Sequence, residues 1–343
     1  MKNQKTIIVC APKDFELHHL IEKNLIYHGF DVTIIFPVNI KFKYKSIWQK
    51  IYNAYRKTIF KDKNHKIKLL ELQRLEYLKK NISKKEKYDY GLFIRADFFG
   101  KESIEMVSDA VSNLYSYHYD GLDRNPEIYE LINLFKKFYV FNPDDLKKTN
   151  YNLFPCTNFY FDYDKDELDL NIKPEIDFYF LGSYHTKRMN DILNFKEKIE
   201  ATHNANFEIV FSKKDQNKID TFSKKNINCL TSIIPFHQYI ENIKKSKIIV
   251  DFKINEHNGL SFRVFESLKY KKKLITNNYT ISNYDFYHSN NIFIIIDNNY
   301  DDIESFFNLP YVEIDDNIVL KYSFKNWINY VLEINPHEKL LIK

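Results

Sequence analysis

The chain opens on an apolar run, TIIVCA (6–11), followed by a stretch from Phe15 to Tyr27 with apolar residues at helical spacing and then by GFDVTIIF (29–36). Short apolar runs between polar breaks predict strands, and recurrence every three or four residues predicts helices. The opening therefore reads as a βαβ unit, with Gly29 at the helix end. The alternation continues through YGLFIRAD (90–97) as a strand, a helix near 101–112, NLYSYH (113–118) as a strand, a helix through Phe135, and KFYVFN (137–142) as a strand. Between about 150 and 176 it lapses into acids and turn residues. It resumes with IDFYFLGS (176–183) and runs on through FEIVFS (207–212), KIIVDFK (247–253), KLITNN (273–278) and IFIIID (292–297), with helices between. Strands alternating with helices predict parallel sheets. Two Rossmann-like α/β domains are expected, at 1–165 and 170–343, with a last helix near 324–332 placed to pack back across both.

One stretch departs from this alternation. Residues 41–82 read as helical, and Ile47, Ile51, Tyr55 and Ile59 recur every four residues beside Trp48 and Tyr52, with Lys43, Lys45, Lys50, Arg56 and Lys57 interleaved. Net charge is only +5, yet residues 41–90 hold 16 Lys/Arg against 5 Asp/Glu, which leaves the rest of the chain at about −6. Such a segment, about 41–87, suits an anionic membrane surface. It equally suits packing into the domain core, and both readings stay open. Nucleic acid is not expected, because no recognisable RNA or DNA module accompanies the charge.

Composition narrows the class. At 343 residues, 44% apolar and 17% aromatic, the chain has material for two packed cores, and disorder is excluded. Cys10, Cys156 and Cys229 are odd in number, far apart and without a CxxC pair, which argues against a disulfide framework or a zinc site. No signal peptide and no run of 18 apolar residues is read, so a cytoplasmic protein, at most peripheral on the inner face of the membrane, is expected. The first turn, APKDFE (11–16), has no glycine, so donor phosphates are expected elsewhere.

The most informative stretch is NGLSFRVFESLKYKKKLITNN (258–278), where Gly259 opens a turn into a helix carrying Arg263 and Glu266. Free N–H groups at a helix start suit a diphosphate, and a carboxylate on the same helix can accept both ribose hydroxyls. The stretch resembles the donor-binding segment of GT-B glycosyltransferases. In the retaining members a first carboxylate stands eight positions before the Glu; here that position is Asn258, and Glu256 is out of register by two. A second stretch, DFYFLGSYHTKR (177–188), resembles the first strand and turn of the C-terminal domain in bacterial sugar transferases. With YSYHYDGLDRNPEIYELINLFKKFYVFNPDDL (115–146) and LKYSFKNWINYVL (320–332), the likeness to lipopolysaccharide and capsule biosynthesis proteins extends from about residue 90 onward.

The resemblance implies GT-B architecture, two Rossmann-like domains facing a cleft. It implies a nucleotide-sugar donor held by Gly182, Lys187, Arg188, Asn258, Gly259, Arg263 and Glu266, and a surface-glycan or lipid-linked acceptor served by the N-terminal domain. There, Asp97 at one strand end and His118 and Asp120 at another are the candidate catalytic groups for an acceptor hydroxyl, with Arg124 close behind. Asp162, Tyr163 and Asp164 spell a metal-binding DxD, but further acids at 166, 167 and 169 mark a solvated linker. Metal-independent transfer, without a cofactor, is the expectation; a non-catalytic scaffold and a nucleotide-sugar epimerase are the alternatives.

Overall fold

The computed structural model describes residues 4–13, 17–36, 39–82, 87–163, 172–254 and 257–342; Phe15, Asp164, the acids at 166, 167 and 169, and Glu256 lie outside the described residues. The chain divides into two compact units. The first comprises Met1–Tyr139 with Lys148–Phe154, the second Val140–Lys147 with Pro155–Lys343.

The first unit begins with β1 (Lys5–Cys10), α1 (Leu17–Tyr27) and β2 (Phe30–Ile35), with Gly29 at φ +84° ending α1 as its missing Cβ permits. Next come α2 (Ile47–Ile59) and α3 (His65–Asn81). They are separate helices, because the chain turns at Lys61, which has φ +52°. β3 (Tyr88–Ile94), α4 (Lys101–Ala110), β4 (Val111–His118), β5 (Lys137–Val140) and β6 (Leu153–Pro155) complete a sheet ordered β2-β1-β3-β4-β5-β6. Its four strands β1 to β4 are parallel. Two expectations change here. The third strand stops at Ile94, so Asp97 lies in a short 3₁₀ turn beyond it; and the helix expected to reach Phe135 is a chain of 3₁₀ turns, broken at Asn125, whose backbone the following Pro126 steers away from the helical region.

The second unit contains β7 (Ile176–Ser183), α5 (Thr186–Ile199), β8 (Ala205–Val210), α6 (Ile219–Ser223), β9 (Asn228–Leu230), α7 (Phe236–Lys245), β10 (Ser246–Asp251), α8 (Phe262–Lys269), β11 (Lys273–Thr276) and β12 (Ile292–Ile294). Its sheet is parallel throughout and ordered β9-β8-β7-β10-β11-β12, which is the 3-2-1-4-5-6 order of dinucleotide-binding folds. Strand alternation explains the core: Phe178 and Phe180 of β7 pack on Met189, Ile192 and Phe195 of α5, while Tyr179 between them turns to the other face. α9 (Ile303–Asn308), α10 (Asp316–Lys321) and α11 (Phe324–Val331) follow. α11 belongs to this unit, where the Trp327 ring lies 4.3 Å from that of Phe159, and Asp162 accepts the Lys325 N–H near its start.

Candidate functional site

In an open parallel sheet, ligands bind beyond the carboxyl ends of the strands, where the strand order reverses. In the second unit that point lies between β7 and β10. The residues gathered there come from both strand ends and from the two helices that start beside them, α5 and α8.

Asp251, the last residue of β10, is buried and accepts from Ser261 Oγ at 2.8 Å and from Arg263 Nε and Nη2 at 2.8 and 2.7 Å. Arg263 also donates from Nη1 to the Leu181 carbonyl at 2.8 Å, so one guanidinium ties the end of β7 to the end of β10. Arg188, on the first turn of α5, is buried against the same strand ends. It donates to the carbonyls of Ser183 and, at 3.4 Å, of Phe252, while its Nε meets no hydrogen-bond partner among the described residues. Burial, then the neighbouring Arg263, pull its ionisation down to about 9, so it remains cationic at neutral pH. Gly182 makes room for this arginine: a Cβ there would stand 2.8 Å from Arg188 Nη2 and 2.9 Å from Phe180. The close approach expected at Gly182 is thus occupied by a side chain of the protein. Lys187 is exposed beside it.

Glu266 lies on the buried side of α8, 4% exposed, and accepts a hydrogen bond from the Tyr239 hydroxyl of α7. Burial pushes its carboxyl up to about 7, against the downward pull of Tyr239 and Arg263. Arg263, one helical turn before it, directs its hydrogen bonds to Asp251. Next to this pair, Tyr179 donates to Glu208 at 2.7 Å, and Asn242 reaches the Tyr179 hydroxyl at 3.3 Å.

Asn258 and Gly259 are built into the turn that leads to α8. The Asn258 amide donates to Asp144 at 2.7 Å and accepts from Lys253 Nζ at 2.7 Å, and its backbone N–H is held by Asn142 Oδ1 at 3.1 Å. Gly259 is packed on Phe141, whose ring a Cβ would meet at 2.4 Å. Asp144 was not singled out from the sequence. It puts a carboxylate, 41% exposed, beside the position where the resemblance leads one to seek it; only folding brings residues 114 apart into contact.

In the first unit, Asp97, His118 and Asp120 do come together, and the residue that joins them is Arg95. It donates from Nε and Nη2 to Asp97 at 2.9 and 2.8 Å, and from Nη1 to Asp120 at 3.0 Å; Arg124 meets Asp120 at 2.7 Å. Arg95 sits at φ +59°, left-handed backbone that a non-glycine residue adopts only at a cost, directly after β3. That strained position is a signal no sequence pattern carries. Burial, the largest single influence, would raise the Asp97 carboxyl, but the hydrogen bonds and charge of Arg95, with His118 and Asn125, together hold it below its ordinary range. His118 is 2% exposed, with Nδ1 3.5 Å from Asp97, and burial drives its ionisation down to about 4, so the ring is neutral at pH 7. Among the described residues no group of three or more His, Cys, Asp or Glu side chains could hold a metal ion.

No protein-family profile matches the chain, and no curated protein sequence matches it. Solved structures do. An alpha-glucosyltransferase in complex with UDP and a 13-mer DNA containing a central A:G mismatch aligns at a TM-score of 0.52 and 13% identity, over 97% of this chain and 93% of that one. An alpha-glucosyltransferase in complex with UDP-glucose and DNA containing an abasic site aligns at 0.51 and 13% identity, over 96% and 93%. What this chain shares with them along nearly its whole length is the fold, two Rossmann-like α/β units in the GT-B architecture.

Proposed function

We propose that the chain is a glycosyltransferase that moves a sugar from a nucleotide-sugar donor onto a bacterial surface glycan or lipid-linked acceptor, of the lipopolysaccharide or capsule type, without a metal ion. The observation that carries this reading is the strand-order switch of the second unit, where the starts of α5 and α8 and the guanidinium groups of Arg188 and Arg263 meet around one buried carboxylate, Asp251. Two arginines against one aspartate leave a positive excess, and helix starts add free N–H groups. That suits a leaving diphosphate, whose developing charge fixed cations and N–H dipoles stabilise.

In this reading the exposed Lys187 is the cation for the outer phosphate, and Glu266 with Tyr239 holds the ribose end. Asp144, held by Asn258, stands in for the carboxylate absent at 258 and orients the transferred sugar. Asp97, His118 and Asp120 serve the acceptor hydroxyl, with Arg95 setting their geometry. The two solved structures of like fold hold UDP or UDP-glucose, so UDP is the first nucleotide to try.

The test is thermal unfolding against UDP, GDP, CMP, ADP and TDP without added metal, on the native chain and on Glu266→Ala and Lys187→Gln. One nucleotide should stabilise selectively, by about 2.7 kcal/mol at a hundredfold excess over Kd, and less in both variants. No stabilisation by any of them would sink the donor site and favour a scaffold. Product analysis then decides the reaction: free nucleoside diphosphate with an elongated glycan supports transfer, whereas an epimerised nucleotide-sugar refutes it. Asp144→Asn should lower turnover at least about tenfold while nucleotide binding persists.

A further inference from the structure

Helix α2 is turned inside out. A surface helix ordinarily buries its apolar stripe and offers its polar face to water. α2 does the reverse. Its start is fixed by Ser46, which accepts the Gln49 N–H at 3.1 Å, and its polar side faces the protein: Asn53 donates to the Tyr44 hydroxyl at 2.9 Å and Arg56 to Asp62 at 2.7 Å. None of its residues is buried. Ile47, Trp48, Ile51, Tyr52, Tyr55 and Ile59 are 70, 75, 53, 51, 50 and 61% exposed, and Phe60 just beyond is 65% exposed. At roughly 100° per residue those six side chains fill one arc of about 140°. Lys50 and Lys57 lie along one edge of that arc and Arg56 along the other. The neighbouring α3 adds exposed Ile67 and Leu72.

We propose that this face docks onto an anionic bilayer surface, with α2 lying in the plane of the headgroups. The chemistry of the rim chooses the occupant. Protein interfaces are depleted in lysine, but this apolar arc sits in the segment that carries the excess of +11 charges. Trp48, Tyr52 and Tyr55 combine a flat apolar body with a polar edge, as side chains at headgroup depth do, and ammonium groups beside them meet lipid phosphates. Lys45 and Arg56 are engaged with Glu76 and Asp62, whereas Lys43, Lys50 and Lys57 are in no ion pair among the described residues. Duplex nucleic acid would want the basic edges outermost, and here the rings and isoleucines are. The proposal does not rest on the transferase reading, because its assay needs no donor.

The experiment is co-sedimentation of the full chain with phosphatidylglycerol-containing vesicles and with phosphatidylcholine vesicles, read together with tryptophan emission. The two tryptophans make the emission specific: Trp48 is exposed and Trp327 is fully buried. Binding to the anionic vesicles with a blue shift that Trp48→Phe removes is expected. Replacing Lys43, Lys50 and Lys57 by Gln should weaken binding roughly a hundredfold, about fivefold for each charge, and Trp48→Ser with Ile51→Ser and Tyr55→Ser should abolish it. These side chains are exposed, so both variants should keep the native unfolding midpoint. Absence of sedimentation with anionic vesicles, or binding indifferent to both variants, would overturn the proposal. So would a dimer in sedimentation velocity that the triple serine variant dissolves while vesicles remain unbound, since α2 would then cover a second copy of the chain; duplex DNA retained in place of vesicles would overturn it too.

Discussion

Glu266 and His118 are both almost wholly buried, and burial moves them in opposite directions because it penalises whichever form is charged. For Glu266 the folded value of about 7 lies above the ordinary 4.5, so the folded protein holds the proton more tightly than the unfolded chain does. Its contribution to stability is therefore complete below about pH 4.5 and is lost as pH rises through 7. Glu266→Gln keeps an acceptor for Tyr239 and removes that loss. It should flatten the pH dependence of the unfolding midpoint between pH 5 and 8 and stabilise the protein at pH 8 by up to about 3 kcal/mol. An unchanged slope would mean that the carboxylate ionises freely and is not buried as described. A carboxyl near neutrality can also donate to one ribose hydroxyl while accepting from the other, which a fully ionised glutamate cannot do.

At the scale of elements, the turn into α8 shows how much of a nominal donor motif is spent on packing. Gly259 has no room for a side chain because Phe141 lies against it, and the Asn258 side chain holds Asp144. Gly259→Ala should cost about 1–3 kcal/mol through overpacking, read in a denaturant unfolding curve. If the segment 140–147, which runs from the last residue of β5 into a 3₁₀ turn, carries Asp144 into the donor site, nucleotide affinity should fall together with it. That Gly259 opens a turn into a helix carrying Arg263 and Glu266 was legible from residues 258–278, because local spacing along one turn and one helix is what a short stretch of sequence records. Asp144 and Arg95 were not. One is placed by a contact across 114 residues, and the other by a backbone angle that follows from where β3 meets its neighbours. The 41–82 stretch is the converse case. Its periodicity announced an amphipathic helix correctly, but periodicity says only that a helix has two faces, and tertiary packing had to choose which one meets the protein.

For the whole molecule, the division of the chain has a measurable consequence. Val140–Lys147 belongs to the second unit although it precedes a segment of the first, and it supplies Phe141 and Asp144 to the α8 turn. A fragment beginning at residue 140 should therefore be more stable than one beginning at 155, by at least about 3 kcal/mol for the lost burial of Phe141 and the cavity it leaves, measured by thermal unfolding of the two fragments. Equal midpoints would show that the segment is not part of that unit's core.

The hydrophobic pattern alone determined that strands alternate with helices in two series, and hence that two α/β sheets form; the second is parallel throughout and the first is parallel over β1 to β4. The reason is that alternation of period two and period 3.6 is a local property, written wherever a residue must face a core. The order of the strands, the switch point between β7 and β10, the outward face of α2 and the partners of Arg95, Arg188, Arg263 and Asn258 were decided by tertiary structure only. Those depend on which distant segments share a burial surface, and no window along the chain contains both members of such a pair.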